Sequence, residues 1–388
     1  MTETDERNTN SEETRFSLCT IYKNEEKNLE KFITNHRDFI DEMILVDTGS
    51  TDRSNEIVRS FGLPYHFFQW TQNFSEARNY SLTLPTQPWI IVLDIDEQVF
   101  EEDFLRLKAI IDEKKSDAYS LRQINFTDRF DDLNWKSITT LPPMFHSLAK
   151  GYIISPLIRV FRNFKGICFN GAIHELVGPS IHALNLTQSL TDIPIYHYGW
   201  ITQDRTDEEK ERKKKAYLLM IKQEWEKNPS PQMAFYYLST LDNPEEKIRL
   251  GFKLVKEYPD VKQFWEVLAQ SAVSLNQWAR AISYADKGLG FHPGNEPLLA
   301  LKARCLNENG DPGHALEILE ELLKKDLLHP VYWYEKLRSL IMLGKTIEVR
   351  ELLNYLPPQF PPILADEIKK MSNGMIRLND SQNRINEE

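Results

Sequence analysis

The stretch WIIVLDIDE, residues 89–97, is a short apolar run that ends abruptly in acidic residues. Residues 90–93 carry no polar side chain, the pattern of a strand covered on both faces, as in a parallel sheet. Upstream, FSLCTIY (16–22), EMILVD (42–47) and PYHFF (64–68) are runs of the same kind, each ending in polar or turn residues. Helical stretches lie between them. NEEKNLEKFITNH (24–36) sets Leu29, Phe32 and Ile33 on one face. SNEIVRSFG (54–62) stops at Gly62, a good C-cap, with Pro64 beyond it. SEARNYSLTL (75–84) opens on Ser75 as an N-cap. Strand–helix–strand alternation at this spacing predicts βαβ units and an α/β domain built on a parallel sheet.

The length of 388 residues asks for two or three domains, and 41% hydrophobic with 11% aromatic residues is ample for real cores. A net charge of -11, from 47 basic and 58 acidic residues, argues against nucleic acid as the main partner. Cys19, Cys168 and Cys305 are far apart with no CxxC, so buried free thiols are expected rather than disulfides or a cysteine zinc site. Residues 1–14 read as a disordered tail, polar and acidic, unlike a signal peptide. No apolar run approaches the roughly 20 residues of a spanning helix. A cytoplasmic protein is expected, at most peripheral to the inner membrane face.

Residues 118–200 change character, with aromatic-rich short strands and no clean alternation, and read as the second half of the same domain. DRTDEEKERKKK (204–215) runs into AYLLMIKQEWEK and predicts a connecting helix over 204–228 with a solvated charged face. From 229 the chain is helical with an internal period: Pro259 and Pro293 lie 34 residues apart, the tetratricopeptide repeat length. Trp265, Leu268, Ala269, Ala281, Ala285 and Pro293 fall on the small and large positions of one copy, and Ala303, Gly310, Ala315 and Leu319 on those of the next. Copies near 232–259 and 330–357 are degenerate, as terminal repeats often are. An all-α repeat domain over 229–388 is expected.

In an open α/β sheet, ligands bind beyond the carboxyl ends of the strands. The first strand runs into Thr20, Tyr22, Lys23, Asn24, Glu25 and Glu26, and the second into Asp47, Thr48, Gly49, Ser50, Thr51 and Asp52. The fourth ends in Asp94, Ile95, Asp96 and Glu97. Any one cluster could simply cap a helix; three at three strand ends predict one crevice. Asp94 and Asp96 leave their strand toward the same side and offer two hard oxygens. Mg²⁺ or Mn²⁺ binds through one or two such carboxylates plus substrate phosphates. A metal so held neutralises a departing diphosphate.

On these residues Phe16 to Glu97 resembles the family 2 glycosyltransferases of the GT-A fold. The shared patterns are TIYKNEE, ILVDTGSTDRS, and LDIDE where the family commonly has LDADE. The resemblance continues through NFSEARN (73–79), RVFRN (159–163), FNGAIHE (169–175) and IYHYGW (195–200). A GT-A domain over 15–203 followed by repeats is similar to bacterial cell-surface and bacteriocin S-glycosyltransferases. The resemblance implies that Thr20, Tyr22, Asn24 and Glu25 line a nucleoside site, that Asp47 bonds the base, and that Ser50 and Asp52 sit on the loop beside it. Arg78 would reach the diphosphate or donor sugar, Asp94 the ribose or the metal through water, and Asp96 the metal directly. Transfer with inversion, in a hexosyltransferase type of reaction, needs a general base. Glu175 is preferred for it, His174 comes next, and His174 could instead be structural. His197 is either a third metal ligand or phosphate contact, or a histidine packed among aromatics. Arg159 and Arg162 read as solvated arginines alternating on an edge strand rather than phosphate ligands, and Trp70 as core rather than a sugar platform.

A sugar-1-phosphate nucleotidylyltransferase would carry a Gly-rich loop where YKNEE stands, and a hydride-transferring Rossmann enzyme a GxGxxG; neither occurs. A tetratricopeptide adaptor with a dead transferase domain is opposed by the intact Asp47, Arg78, Asp94 and Asp96. The implied donor is a nucleotide sugar, UDP by default, and the acceptor a saccharide or glycoconjugate. A peptide or protein acceptor is the alternative, and the repeats would serve a protein partner or a homodimer.

Overall fold

The computed structural model describes residues 14–114, 116–128, 135–199, 207–227, 229–326 and 329–354, with 365, 366 and 370 beyond them. Of the expected tail at 1–14, residues 1–13 lie outside the described residues, as do Trp200 of IYHYGW and most of the chain after Asn354. Thr14 is described and corrects the expectation, being buried with its hydroxyl on Asp112. The chain forms two compact units. Among the described residues, one holds those up to Asn125 and those from Ile154 to Gly199; the other holds Phe126–Ile153 and the helices from Asp207 onward.

The sheet is built from β1 (Phe16–Tyr22), β2 (Glu42–Asp47), β3 (His66–Phe67), β4 (Trp89–Val92), β5 (Glu97–Gln98), β6 (Ala118–Thr127), β7 (Lys136–Ser137), β8 (Gly151–Arg162) and β9 (Gln188–His197). Their order is β3-β2-β1-β4-β8-β6-β9-β5, with β7 on β8. Strands β3, β2, β1 and β4 are parallel, β8 runs antiparallel to β4, β9 is parallel to β6, and β5 is antiparallel to β9. Alternate side chains of the parallel strands feed two separate cores. Phe16, Leu18, Leu45, Trp89 and Ile91 enter one, and Cys19, Ile44, Val46, Ile90 and Val92 the other. Burial on both faces is why β4 is wholly apolar and why β1 and β2 carry apolar residues at both parities.

Helices α1 (Leu29–His36), α2 (Ser54–Ser60), α3 (Phe74–Ser81), α4 (Glu101–Lys114) and α5 (Gly178–Ala183) complete the α/β part. Gly62 closes α2 at φ +71, its N–H donating to Arg59 O, as the sequence pattern requires. Helix α3 corrects the expected cap. Asn73 is the N-cap, accepting from Glu76 N–H while its amide returns to Glu76 Oε1, and Ser75 lies within the first turn with its hydroxyl on Gly171 O. PYHFF gives only a two-residue strand. The expected short strands after 118 are instead long: β6 and β9 have 10 residues each and β8 has 12. They lie within the sheet, each with neighbours on both sides. Strand β8 is therefore no edge, and Arg159 is buried. Arg162 lies over the Trp89 ring at 4.6 Å and is 37% exposed.

The helices of the second unit are α6 (Asp207–Lys227), α7 (Pro231–Thr240), α8 (Pro244–Glu257), α9 (Lys262–Ser274), α10 (Trp278–Phe291), α11 (Glu296–Glu308), α12 (Pro312–Lys325), α13 (Pro330–Met342) and α14 (Thr346–Asn354). Helices α9, α11 and α13 begin at 262, 296 and 330, so the 34-residue period read from the prolines is the period of the helix pairs. Pro259 contributes its carbonyl, which accepts from the Trp265 indole N–H at 2.8 Å. Ala269, Ala272, Ala281 and Ala285 are fully buried where paired helices meet. Gly288 is the tightest of these approaches: a Cβ there would lie 2.6 Å from Leu298 Cδ1 and 2.7 Å from Trp265 Cβ. Ala in place of Gly within a helix gains about 1 kcal/mol of propensity, but overpacking costs about 1–3 kcal/mol. Gly288→Ala is therefore expected to lower the urea midpoint of the repeat unit, and a raised midpoint would contradict this packing.

Cys19 and Cys305 are buried and Cys168 is half-buried, all as free thiols. Among the described residues no helix is long and apolar enough to cross a membrane.

Candidate active site

The carboxyl ends of β2, β1 and β4 lie side by side, and the predicted polar clusters stand there. The loops after β1 and β2 are laced together by side chain to backbone bonds. Ser50 Oγ accepts from Asn24 N–H at 2.9 Å, Asn24 Oδ1 from Thr51 N–H at 2.7 Å, Ser54 Oγ from Glu25 N–H at 2.8 Å, and Asp52 Oδ2 from Glu26 N–H at 3.1 Å. Asn24 takes φ +55 to turn the chain into this arrangement, and the side chain of Glu25 accepts from Asn28. Part of the NEE and STD chemistry is thus used within the fold.

Asp47 ends β2 and is buried. Its Oδ1 accepts from Gly49 and Ser50 N–H, and its Oδ2 from Asn55 Nδ2 at 3.0 Å and Tyr65 Oη at 3.2 Å. Burial pushes its carboxyl up, but the bonds from Ser50, Asn55 and Gly49 outweigh this and hold it below the usual carboxylate range. Tyr22 joins the group through Asn55 at 2.8 Å. Thr20 is buried within β1.

After β4 the chain turns sharply, Glu97 N–H bonding Asp94 O, and enters a line of charges in which Arg78, Arg159 and Glu97 are buried and Asp94 and Glu175 partly so. Arg78, on α3, gives Nε to Glu175 Oε1 and Nη2 to Asp94 Oδ1, both at 2.6 Å. Arg159, on β8, gives one nitrogen, Nη2, to Asp94 Oδ2 at 3.0 Å and to Glu97 Oε1 at 2.7 Å. Glu97 also accepts from Asp94 N–H and from Gln123. Burial alone would raise the Asp94 carboxyl, but Arg78 and Arg159 pull it well below the usual range. For Glu97 burial prevails and the carboxyl is pushed up. Among the described residues Arg78 Nη1 is buried without a hydrogen-bond partner, an expensive arrangement unless something else accepts from it.

Glu175 and His174 come from a loop fastened to the start of α3 by Phe74 N–H on Ala172 O and Ser75 Oγ on Gly171 O. A bridge between Asn170 and Leu176 closes the loop, with Gly171 at φ +98 and His174 at φ +52. A histidine at positive φ is locally strained, a state that clusters at functional sites. Burial lowers the His174 imidazole, which Glu175 partly offsets.

Asp96 Oδ2 faces His197 Nε2 at 3.5 Å. The other ring nitrogen of His197 lies 2.7 Å from Asn125 Oδ1, so Nδ1 donates there and the Nε2 lone pair points toward Asp96 in the neutral ring. Burial lowers this imidazole, but Asp96, Glu97 and Asp94 more than offset it, and its pKa is raised. Tyr198 N–H bonds Asp96 O at 2.8 Å and Glu97 pairs with His197, which clips the two segments together. Gly199 completes the approach, since a Cβ there would stand 2.1 Å from Asp96 Oδ2. A hard carboxylate oxygen opposite an oriented imidazole suits a divalent cation that takes its remaining ligands from phosphate and water. Among the described residues no three His, Cys, Asp or Glu side chains gather around one point for a metal. Asp94, expected beside Asp96, turns both oxygens to guanidinium groups instead.

From the sequence Glu97 was named only within the strand-end cluster and given no role, Arg159 was set aside as solvated, and Gln123 and Asn125 were not singled out. Gln123 and Asn125 did leave a signal, as polar side chains spaced by two within the strand run LRQINFT. Trp70 is half-buried, edge-on to Phe74 at 4.8 Å.

Compared with known proteins, residues 17–168 match glycosyl transferase family 2 and residues 272–341 match the tetratricopeptide repeat. The chain thus carries a family 2 glycosyltransferase domain followed by helical repeats. A TPR repeat-containing protein of Synechococcus elongatus is 31% identical over 191 residues, 47% of this chain and 42% of that protein. The SPbeta prophage-derived glycosyltransferase SunS of Bacillus subtilis is 24% identical over 259 residues, 64% of this chain and 56% of that protein. The solved structure of glucosyl-3-phosphoglycerate synthase from Mycobacterium tuberculosis, in complex with Mn²⁺ and UDP-glucose, is 14% identical. It covers 54% of this chain and 77% of its own, with a TM-score of 0.35. The chain spans about half the length of the curated relatives it matches.

Proposed function

We propose that the protein is an inverting, divalent-metal-dependent glycosyltransferase that moves a sugar from a nucleotide sugar, a UDP-sugar by preference, to a saccharide or glycoconjugate in the cytoplasm. The transferase domain spans 15–203, a connecting helix 204–228 and the repeats 229–388. The observation that carries this is Arg78, a buried guanidinium spread between Asp94 and Glu175 with Nη1 left unpartnered among the described residues. Two donor hydrogens at the carboxyl end of a parallel sheet match an anionic ligand such as a diphosphate.

The laced loops after β1 and β2 hold the nucleoside, with Asp47 meeting the base. Tyr65, exposed and bonded to Asp47, is the partner that can yield its place. Thr20, Tyr22, Asn24 and Glu25 shape that end of the crevice, with Ser50 and Asp52 fixing the loop. Asp96 and His197 hold Mg²⁺ or Mn²⁺, which when bound neutralises the charge of the departing diphosphate. Glu175, its Oε1 fixed by Arg78, accepts the proton of the acceptor hydroxyl as that oxygen attacks the anomeric carbon and the bond to the nucleotide phosphate breaks. A peptide acceptor is the second reading, favoured by the tetratricopeptide repeats, whose kind docks extended segments and equally serves partners or a homodimer. Mass spectrometry of offered peptides, against loss of a surface glycan on deletion, separates the two.

The test is a thermal shift with UDP-sugars plus Mn²⁺. A donor-dependent rise in Tm is expected for the native chain and its loss for Asp96→Ala. No shift with any nucleotide sugar, or an undiminished one in the variant, would sink the proposal.

A further inference from the structure

The LDIDE motif presents two aspartates, yet the fold treats them differently. Asp96 looks toward His197 Nε2, whereas both Asp94 oxygens are occupied by guanidinium nitrogens. A carboxylate gripped on both sides by fixed cations is a poor ligand for a third, because its charge is already balanced and the guanidinium groups repel an approaching cation. The second grip is Arg159. It projects from β8, one residue from the pairing of Val160 with Ile91, and its side chain is 8% exposed. Stability alone is a weak reason for such a residue, since buried ion pairs seldom outperform apolar packing. Arg159 Nε, moreover, lacks a partner among the described residues.

We propose that Arg159 is a positioning residue that withdraws Asp94 from the cation, so that the second aspartate of the motif, with His197, carries the metal alone. The inference rests on the metal-dependent reading of the site. In holding Oδ2, Arg159 also turns Oδ1 onto Arg78, which steadies the guanidinium whose Nη1 meets the donor. Without Arg159, a hard oxygen is released beside the metal ligands, and cation affinity should rise where ordinary structural damage would lower it.

Isothermal titration calorimetry of the full chain with Mn²⁺ alone reads this directly. Arg159→Met is expected to bind Mn²⁺ about tenfold more tightly than the native chain, through the added carboxylate. Adding Asp94→Asn to that variant should restore native affinity, and Asp94→Asn by itself should stay within about twofold of native. Unchanged or weaker binding by an Arg159→Met protein that still unfolds cooperatively overturns the inference. So does a loss of binding in Asp94→Asn, which decides the matter if Arg159→Met does not fold. Retention of Mn²⁺ by Asp96→Asn would instead overturn the assignment of Asp96 as the metal ligand, and absence of Mn²⁺ binding in the native chain the metal-dependent reading itself.

Discussion

Arg78→Met is expected to lower stability by about 3 kcal/mol, the lower end of the 3–5 kcal/mol seen when a buried ion pair loses one partner. The lower end applies because Asp94 keeps Arg159 and its side chain is 34% exposed, so solvent screens part of the loss. Glu175, 12% exposed, loses the guanidinium that holds its Oε1. The pH dependence has a definite sign. Arg78 helps depress the Asp94 carboxyl, so its contribution is complete above the unfolded carboxylate pKa of about 3.9. That contribution fades as pH falls through the folded value. The stability gap between native and variant chains in urea should therefore be full at neutral pH and narrow below about pH 4. Donor binding should weaken about 10- to 100-fold, from one lost charge-assisted hydrogen bond. Arg78→Lys separates the two effects: it keeps a cation near the carboxylates and recovers much of the stability, but it has no planar fork and leaves donor KM high. Full donor affinity in Arg78→Lys would show that Nη1 does not meet the donor.

Glu175→Gln is expected to reduce kcat about 10²- to 10⁴-fold, the range for removing a general base. The amide oxygen of Gln can still accept from Arg78, so fold and donor-induced thermal shift should be preserved. His174→Gln is the comparison, expected to leave kcat within about tenfold because a neighbour that only shapes the loop is not in the proton path. The reverse pattern would move the base to His174. Activity would then fall on the acid side through a pKa below the ordinary 6.5 of histidine, the direction in which burial shifts this ring.

What could be read from residue order was whatever local spacing determines. The runs at 16–22, 42–47 and 89–92 gave strands because double-sided burial leaves apolar residues at both parities. The prolines 34 residues apart gave the repeats because each pair of helices closes on the same turn. Arg159 was misread because alternation looks the same on an edge strand and a central one. Only the long-range pairing of Trp89 with Arg162 puts β8 inside the sheet. Asn73 and Ser75 could each cap a helix. Glu76, three residues after Asn73, was the sign that decides between them. The role of Asp94 was hidden for another reason: DxD spacing specifies two carboxylates, not the cations that reach them from α3 and β8.

A side chain at position 199 comes at the expense of the Asp96 carboxylate's position. Any replacement of the glycine installs a Cβ, and here that atom would fall 2.1 Å from Asp96 Oδ2 and 2.8 Å from His197 Nε2. The smallest exchange, to alanine, already forces the Asp96 carboxylate aside and out of line with His197. Lineages that lose Gly199 should be those in which Asp96 or His197 has also been given up.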